Sequence, residues 1–462
     1  MNKINSIILA VVFATSLQAQ QKYEANWASI DSHPIPQWFT DAKFGIFIHW
    51  GLYSVPSWAP LPSDGAGIYD CYAEWYGWKL IDKNDPIHPM FVDFHNKTYG
   101  ENFKYQDFVK DFKCQMFNPD KWAKLFRESG ARYIVLTSKH HDGFALWPSA
   151  QAWNWNSMDV GPHRDLAGDL SAAIKKEGLH MGFYYSLFEW FNPQYHNNLE
   201  EYVDEHMFPQ MKDLINRYKP ELLWTDGEWA HYPEAWKSTE FLKWLFNESP
   251  MKENIVVNDR WGIGTRGKHG DFYTTEYDIE YEDNMKASKN THPWEECRGT
   301  GNSFGYNRNE NIEDYSTSEK LVHVLIEKVA MGGNLLLNVG PTADGRIPVI
   351  MQQRLMDIGK WLKVNGEAIY GTRSWDVAKQ PDIQAYFTAK GKDLYVICTK
   401  YPGKTITINN VGKKPVSVTL LGSNAPVKYS FDGKNVSIAP PALSPADNPG
   451  EYAWVFKLSG GL

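Results

Sequence analysis

Cysteine is scarce in this chain: Cys71, Cys114, Cys297 and Cys398 are the only four among 462 residues. They stand far apart and lack the short spacing of zinc ligands, which leaves buried thiols or one or two bridges as the open readings. No Lys/Arg block is long enough to make a basic footprint and the formal net charge is −8, so a nucleic-acid partner is not expected. HExxH and HxH are both missing, and adjacent His140 and His141 on a strand would point to opposite faces; a catalytic metal is therefore not expected either.

Long apolar runs are also lacking outside the first residues, "MNKINSIILAVVFATSLQAQ". That segment runs from Lys3 through a short apolar stretch to the small residue Ala19, the pattern of a cleavable secretory signal rather than of a transmembrane helix. Residues 1–19 are expected to be removed, and no cysteine at the cleavage point offers a lipid anchor. The expected location is the periplasm or the cell exterior.

Aromatic residues are abundant: they make up 15% of the chain, with 20 tryptophans and 25 tyrosines, more than a core requires. Such side chains suit a ligand with apolar and hydroxylated sides, and a sugar ring fits that description. A hydrophobic set of 43% in 462 residues is enough for one large core and a second, smaller one.

Short apolar runs alternate with helical periodicity from residue 40 to 340. Strands are expected at 43–50, 132–141, 180–187, 221–227, 254–260, 271–277, 302–307 and 334–340, and helices at 166–179, 238–249, 316–332 and 350–366. Eight strands of this kind close an α/β, TIM-like (β/α)8 barrel, irregular where the 260–271 link is too short for a crossover helix. From about 375 the pattern becomes short alternating bursts between Gly, Asn and Pro turns, a small antiparallel β-sandwich. The expected division is a barrel over 20–370 and a sandwich over 371–462. Residues 51–100 form a long aromatic connection of the kind that carries function.

Catalytic groups in such a barrel come from the carboxyl ends of several strands. Those ends supply His49, His140, His141, Tyr184, Asp226 with Glu228 and Trp229, Arg260, Glu276 with Tyr277, and Asn338. A lone histidine is more often structural, but three histidines at two strand ends beside Trp and Arg point to a shared site. Glu228 either shares the Asp226 face or starts a helix after Gly227. Two carboxylates across a polar, tryptophan-lined pocket suit glycosyl transfer to water, one attacking or orienting water and the other protonating the leaving oxygen.

The stretches "KFGIFIHWGLYSVPSW" 43–58, "EWY" 74–76, "TSKHHDGFALWPS" 137–149, "WTDGEW" 224–229, "VNDRWG" 257–262, "FGYNRNE" 304–310 and "GGNLLLNVGPTADGRIP" 332–348 closely resemble the alpha-L-fucosidases of glycoside hydrolase family twenty-nine. They cover nearly the whole barrel in order, and the tail from 375 resembles that family's C-terminal sandwich. The resemblance implies an exo-acting retaining enzyme without a cofactor, acting on fucosylated oligosaccharides or glycoconjugates through a covalent fucosyl-aspartate. It puts the nucleophile on Asp226 and the sugar-binding set on His49, Glu74, Trp75, His140, His141, Tyr184, Trp229 and Arg260. For the acid/base it implies Glu276 in "TTEY", with Glu295 in Trp294-Glu295 as runner-up and Glu280, Glu282 and Glu296 nearby. The animal enzyme has an aspartate where this chain has Tyr277. An alpha-L-galactosidase or transfucosylase built on the same residues is the alternative enzyme, and a fucose-binding lectin the non-enzymatic one; the presence of both Asp226 and Glu276 speaks against the lectin.

Overall fold

Strand β1 (Phe44–Ile48) is buried throughout, yet its side chains belong to two different cores. Phe44, Ile46 and Ile48 face outward into the layer of helices, while Phe47 faces inward with Tyr133, Tyr184, Trp224 and Leu336. Period two forces this split, and burial on both faces explains why the strand reads as one apolar run.

The computed structural model describes residues 22–277 and 292–462. Seven further strands join β1 in a parallel sheet: β2 (Tyr133–Lys139), β3 (His180–Ser186), β4 (Leu222–Asp226), β5 (Val256–Val257), β6 (Tyr273–Glu276), β7 (Trp294–Gly299) and β8 (Asn334–Val339). Their order is β5-β4-β3-β2-β1-β8-β7-β6, so β1 pairs with β8 and the curled sheet has its two ends at β5 and β6. Parallel neighbours need long crossovers. Helices Pro119–Glu128, Leu166–Lys176, Phe208–Tyr218, Ser238–Asn247 and Ser318–Ala330 provide them. Three of these helices start on side-chain caps, Asn118 accepting from Lys121 N, Asp165 from Gly168 N and Thr317 from Lys320 N.

No helix joins β5 to β6, in line with the short 260–271 link, and the sheet is open there. Side chains bridge the opening instead. Val257 N donates to Asp271 Oδ2 at 2.9 Å and Thr274 N to Asp259 Oδ1 at 3.1 Å. Asp271 also bonds His33 Nδ1 at 2.9 Å, which ties the beginning of the described chain to the same opening.

One expected strand is wrong. Residues 302–307 form a loop, and the seventh strand is Trp294–Gly299, whose Glu295, Glu296 and Arg298 hide it from any apolar pattern. Those charges are tolerated because partners meet them inside the fold: Lys328 lies 3.0 Å from Glu296, Arg298 also pairs with Glu296, and Glu295 accepts from Tyr133 and Trp224.

After helix Val349–Asn365 the chain forms eight antiparallel strands: β9 (Arg373–Gln380), β10 (Ala385–Lys390), β11 (Asp393–Cys398), β12 (Ile406–Ile408), β13 (Ser417–Leu420), β14 (Lys428–Phe431), β15 (Val436–Ala439) and β16 (Trp454–Ser459). A five-stranded sheet, β13-β16-β11-β10-β9, and a three-stranded sheet, β12-β15-β14, enclose a core of their own. The sandwich leans on the barrel's flank through Tyr386 OH to Glu327, His323 to Tyr452 O and Trp361 Nε1 to Ala453 O. All four cysteines are buried free thiols. Among the described residues no helix is long and apolar enough to cross a membrane, and the 1–19 segment lies outside them.

Candidate active site

At the carboxyl ends of the parallel strands lies a cavity of about 370 Å³. His49, Glu74, Trp75, His140, His141, Tyr184, Asp226, Trp229, Arg260 and Glu276 all line it, so residues from β1 to β6 and from the long 51–100 connection converge on one space. Asp226 is the last residue of β4. The chain turns away at once through Gly227, at φ 82°, where an added Cβ would stand 2.6 Å from that of Phe188.

Both Asp226 oxygens accept hydrogen bonds. Arg260 Nη1 donates to Oδ1 and the Tyr184 hydroxyl to Oδ2, each at 2.8 Å, and His141 Nε2 stands 3.7 Å from Oδ2. The same guanidinium reaches the second carboxylate, with Arg260 Nη2 at 3.5 Å from Glu276 Oε2. Arg260 is held from behind by its Nε bond to Thr274 Oγ1 and by the Trp224 ring, 4.6 Å away. On the other side of Glu276, the Tyr72 hydroxyl donates to Oε1 at 2.7 Å.

His140 and His141 both line the cavity, against the expectation of opposite faces. Strand β2 stops at Lys139, and its register against β3 shifts between Thr137 and Lys139, so strand alternation no longer governs the two rings. Their centroids are 4.2 Å apart. Burial pushes the His49 imidazole down to about 4 and holds those of His140 and His141 well below the usual value, so all three are neutral beside Arg260. Asn338 Oδ1 bonds His49 Nδ1 at 2.8 Å and Ser186 Oγ bonds His141 Nδ1 at 2.6 Å, which fixes the two rings. Among the described residues no group of three or more His, Cys, Asp or Glu is arranged to hold a metal ion.

Glu74 is pushed up to about 7 by burial, although Gly305 N and Ser303 Oγ donate to it at 2.8 and 3.3 Å. It enters the site on the 3₁₀ turn Ala73–Trp75. Glu228 is buried but does not line the cavity; its nearest cation is Arg266, at 3.9 Å.

Glu295 lies below the cavity floor rather than in it. It is fully buried, accepts from Tyr133 OH at 2.5 Å and Trp224 Nε1 at 3.0 Å, and burial pushes its carboxyl up to about 7. Glu296 faces the helix layer with Lys328, and Glu280 and Glu282 lie outside the described residues.

Sequence reasoning missed Phe47, Tyr69, Tyr72, Lys79, Trp224, Arg266, Cys297 and Phe304 in the lining. Phe47 and Trp224 were within reach, since each sits two residues before a named site residue on the same strand face. Tyr69, Tyr72 and Lys79 come from a connection without periodicity, which gives no sequence signal for direction.

A curled parallel barrel with two carboxylates sharing one arginine in an aromatic pocket defines a glycoside hydrolase. The family model for alpha-L-fucosidase matches residues 10–367, and that for the alpha-L-fucosidase C-terminal domain matches 379–459. The chain belongs to the alpha-L-fucosidase family. It is 41% identical over 450 residues to the tissue alpha-L-fucosidase of Bos taurus, covering 95% of this chain and 92% of that protein. It is 41% identical over 474 residues to the alpha-L-fucosidase of Dictyostelium discoideum, covering 98% of each. The crystal structure of Thermotoga maritima alpha-fucosidase in complex with fucose superposes with a TM-score of 0.79 at 36% identity, covering 94% of this chain and all of that one.

Proposed function

We propose that this alpha-L-fucosidase is exo-acting and retaining, with Asp226 as nucleophile and Glu276 as acid/base. The observation that carries the reading is the single Arg260 guanidinium reaching both carboxylates, Asp226 at 2.8 Å and Glu276 at 3.5 Å. In the first step an Asp226 oxygen attacks the anomeric carbon of a terminal alpha-L-fucosyl group while Glu276 passes its proton to the departing glycosidic oxygen. In the second, Glu276 takes a proton from water as that water attacks the fucosyl ester, and Asp226 leaves as a carboxylate. Two inversions give retention.

Neutral His49, His140 and His141 bond the sugar hydroxyls without adding charge beside Arg260, and Glu74, Trp75, Tyr184 and Trp229 complete the binding set. Phe47, Trp224 and Phe304 line the apolar part of the cavity and receive the C6 methyl. A hydroxymethyl group there would lose its hydrogen bonds to water, which disfavours L-galactose. Following the anomer released from an alpha-L-fucoside by NMR tests the reading: alpha-L-fucose appearing first supports it, and beta-L-fucose contradicts it.

The substrates are fucosylated oligosaccharides or glycoconjugates, with no nucleic-acid partner. Residues 1–19 act as an export signal, residues 20–370 carry catalysis and 371–462 brace the barrel's flank. N-terminal sequencing of the exported protein should read Gln20 first; an intact Met1 contradicts the signal.

A further inference from the structure

The roles assigned above leave the sugar on the far side of the glycosidic bond without a partner. Glu276 meets the glycosidic oxygen, so that second sugar must lie beyond Glu276 on its way to solvent. Tyr72 bonds Glu276 there, and Tyr69 packs edge-on against Tyr72 with centroids 5.8 Å apart and planes at 84°. Tyr69 lines the same cavity but is 50% exposed, whereas Phe47, Tyr72, Tyr184, Trp224 and Phe304 are each at most 5% exposed. The aromatic lining thus passes from a closed floor to an open face, and on the Glu276 side that face is Tyr69.

The ring is also held in place. Tyr69 belongs to the 3₁₀ turn Ile68–Cys71, whose Asp70 accepts from Gly67 N and pairs with Lys79 at 3.1 Å. Lys79 is itself buried and bound to Asp85 at 2.6 Å, so the turn is pinned to the inner part of the connection. Ile68, 37% exposed, extends the apolar surface beside it. A half-exposed aromatic ring on an anchored turn offers a flat surface to the C–H face of a pyranose at little entropic cost.

Resting on the assignment of Glu276 as the acid, we propose that Tyr69 is the stacking platform for the leaving sugar, a neutral pyranose, and selects oligosaccharide substrates over simple fucosyl donors. The test compares Tyr69→Ala with the unaltered full-length protein on two substrates. One is a fucosylated trisaccharide; the other is alpha-L-fucosyl fluoride, whose leaving group has no ring to stack and needs no acid.

The variant should lose about tenfold in kcat/KM on the trisaccharide and stay within about twofold on the fluoride, with Tyr69→Phe restoring the trisaccharide rate. Equal losses on both substrates, or no loss on the trisaccharide, overturn the proposal. Glu276→Ala, measured on the same pair, keeps the two questions apart. Retained first-step turnover of the fluoride beside a lost trisaccharide rate upholds Glu276 as the acid whatever Tyr69 does. Matching losses on both substrates remove the acid assignment, and with it the basis for Tyr69.

Discussion

Arg260 Nη1 lies 2.8 Å from Asp226 Oδ1, while Nη2 of the same guanidinium stands 3.5 Å from Glu276 Oε2, Nε donates to Thr274, and the group lies over the Trp224 ring. A planar fork serving two carboxylates cannot be copied by an ammonium group. Arg260→Lys should therefore lower kcat/KM on alpha-L-fucosides by roughly 10²-fold or more, the range found when one preorganised donor is removed from a site. Steady-state kinetics on a folded variant checks this. A loss confined to KM would reduce Arg260 to simple sugar binding.

The two glutamates proposed for the acid separate by position. Glu276→Ala should slow substrates with poor leaving groups far more than those with good ones, because only the former need a proton to depart. Glu295→Ala should instead cost stability, about 2–4 kcal/mol, by leaving Tyr133 OH and Trp224 Nε1 unpaired and opening a cavity. Its rates should show no dependence on the leaving group. Rate constants over aryl fucosides of graded acidity, with thermal midpoints for both variants, decide between them; the steep dependence appearing in Glu295→Ala would exchange the roles.

Glu295 also makes stability depend on pH. Burial raises its folded value to about 7 from an ordinary 4.5, so the folded chain keeps a proton that the unfolded chain releases. That contribution is full below about pH 4.5 and is lost as pH rises through 7, because the native state then binds more protons than the unfolded state. Relative to Glu295→Gln, the unaltered protein should lose on the order of 3 kcal/mol over this window. Glu74, Glu228 and Glu310, all raised to about 7, shift both proteins alike, so the difference isolates Glu295. Denaturation midpoints of the pair at pH 4.5, 6 and 8 measure it, and parallel curves would contradict it.

What the sequence disclosed follows from where the signal is local. Phe44 to Ile48 and Leu335 to Leu337 are apolar because both faces are buried; His49 follows directly on the first of these runs, and Asp226 and Glu276 stand at the ends of the strands read at 221–227 and 271–277. Strand Trp294–Gly299 was hidden because its charges are satisfied by Tyr133, Trp224 and Lys328, residues remote in the chain that no window around 295 contains. The pairing of His140 with His141 on one cavity was hidden because β2 ends at Lys139, two residues before the end of the expected 132–141 strand. Tyr72 and Tyr69 belong to a connection whose path is set by contacts such as Lys79 with Asp70 and Asp85, not by periodicity.

The central claim is the covalent role of Asp226, and trapping tests it most directly. A 2-fluoro-substituted fucosyl donor with a good leaving group destabilises both transition states, yet the leaving group lets the ester form faster than water removes it. Peptide mass spectrometry after incubation should then find one added fluorofucosyl mass, on Asp226 within "WTDGEW". A label on Glu276, Glu74 or Glu228, or stoichiometric turnover of the donor with no labelled peptide, would contradict the account.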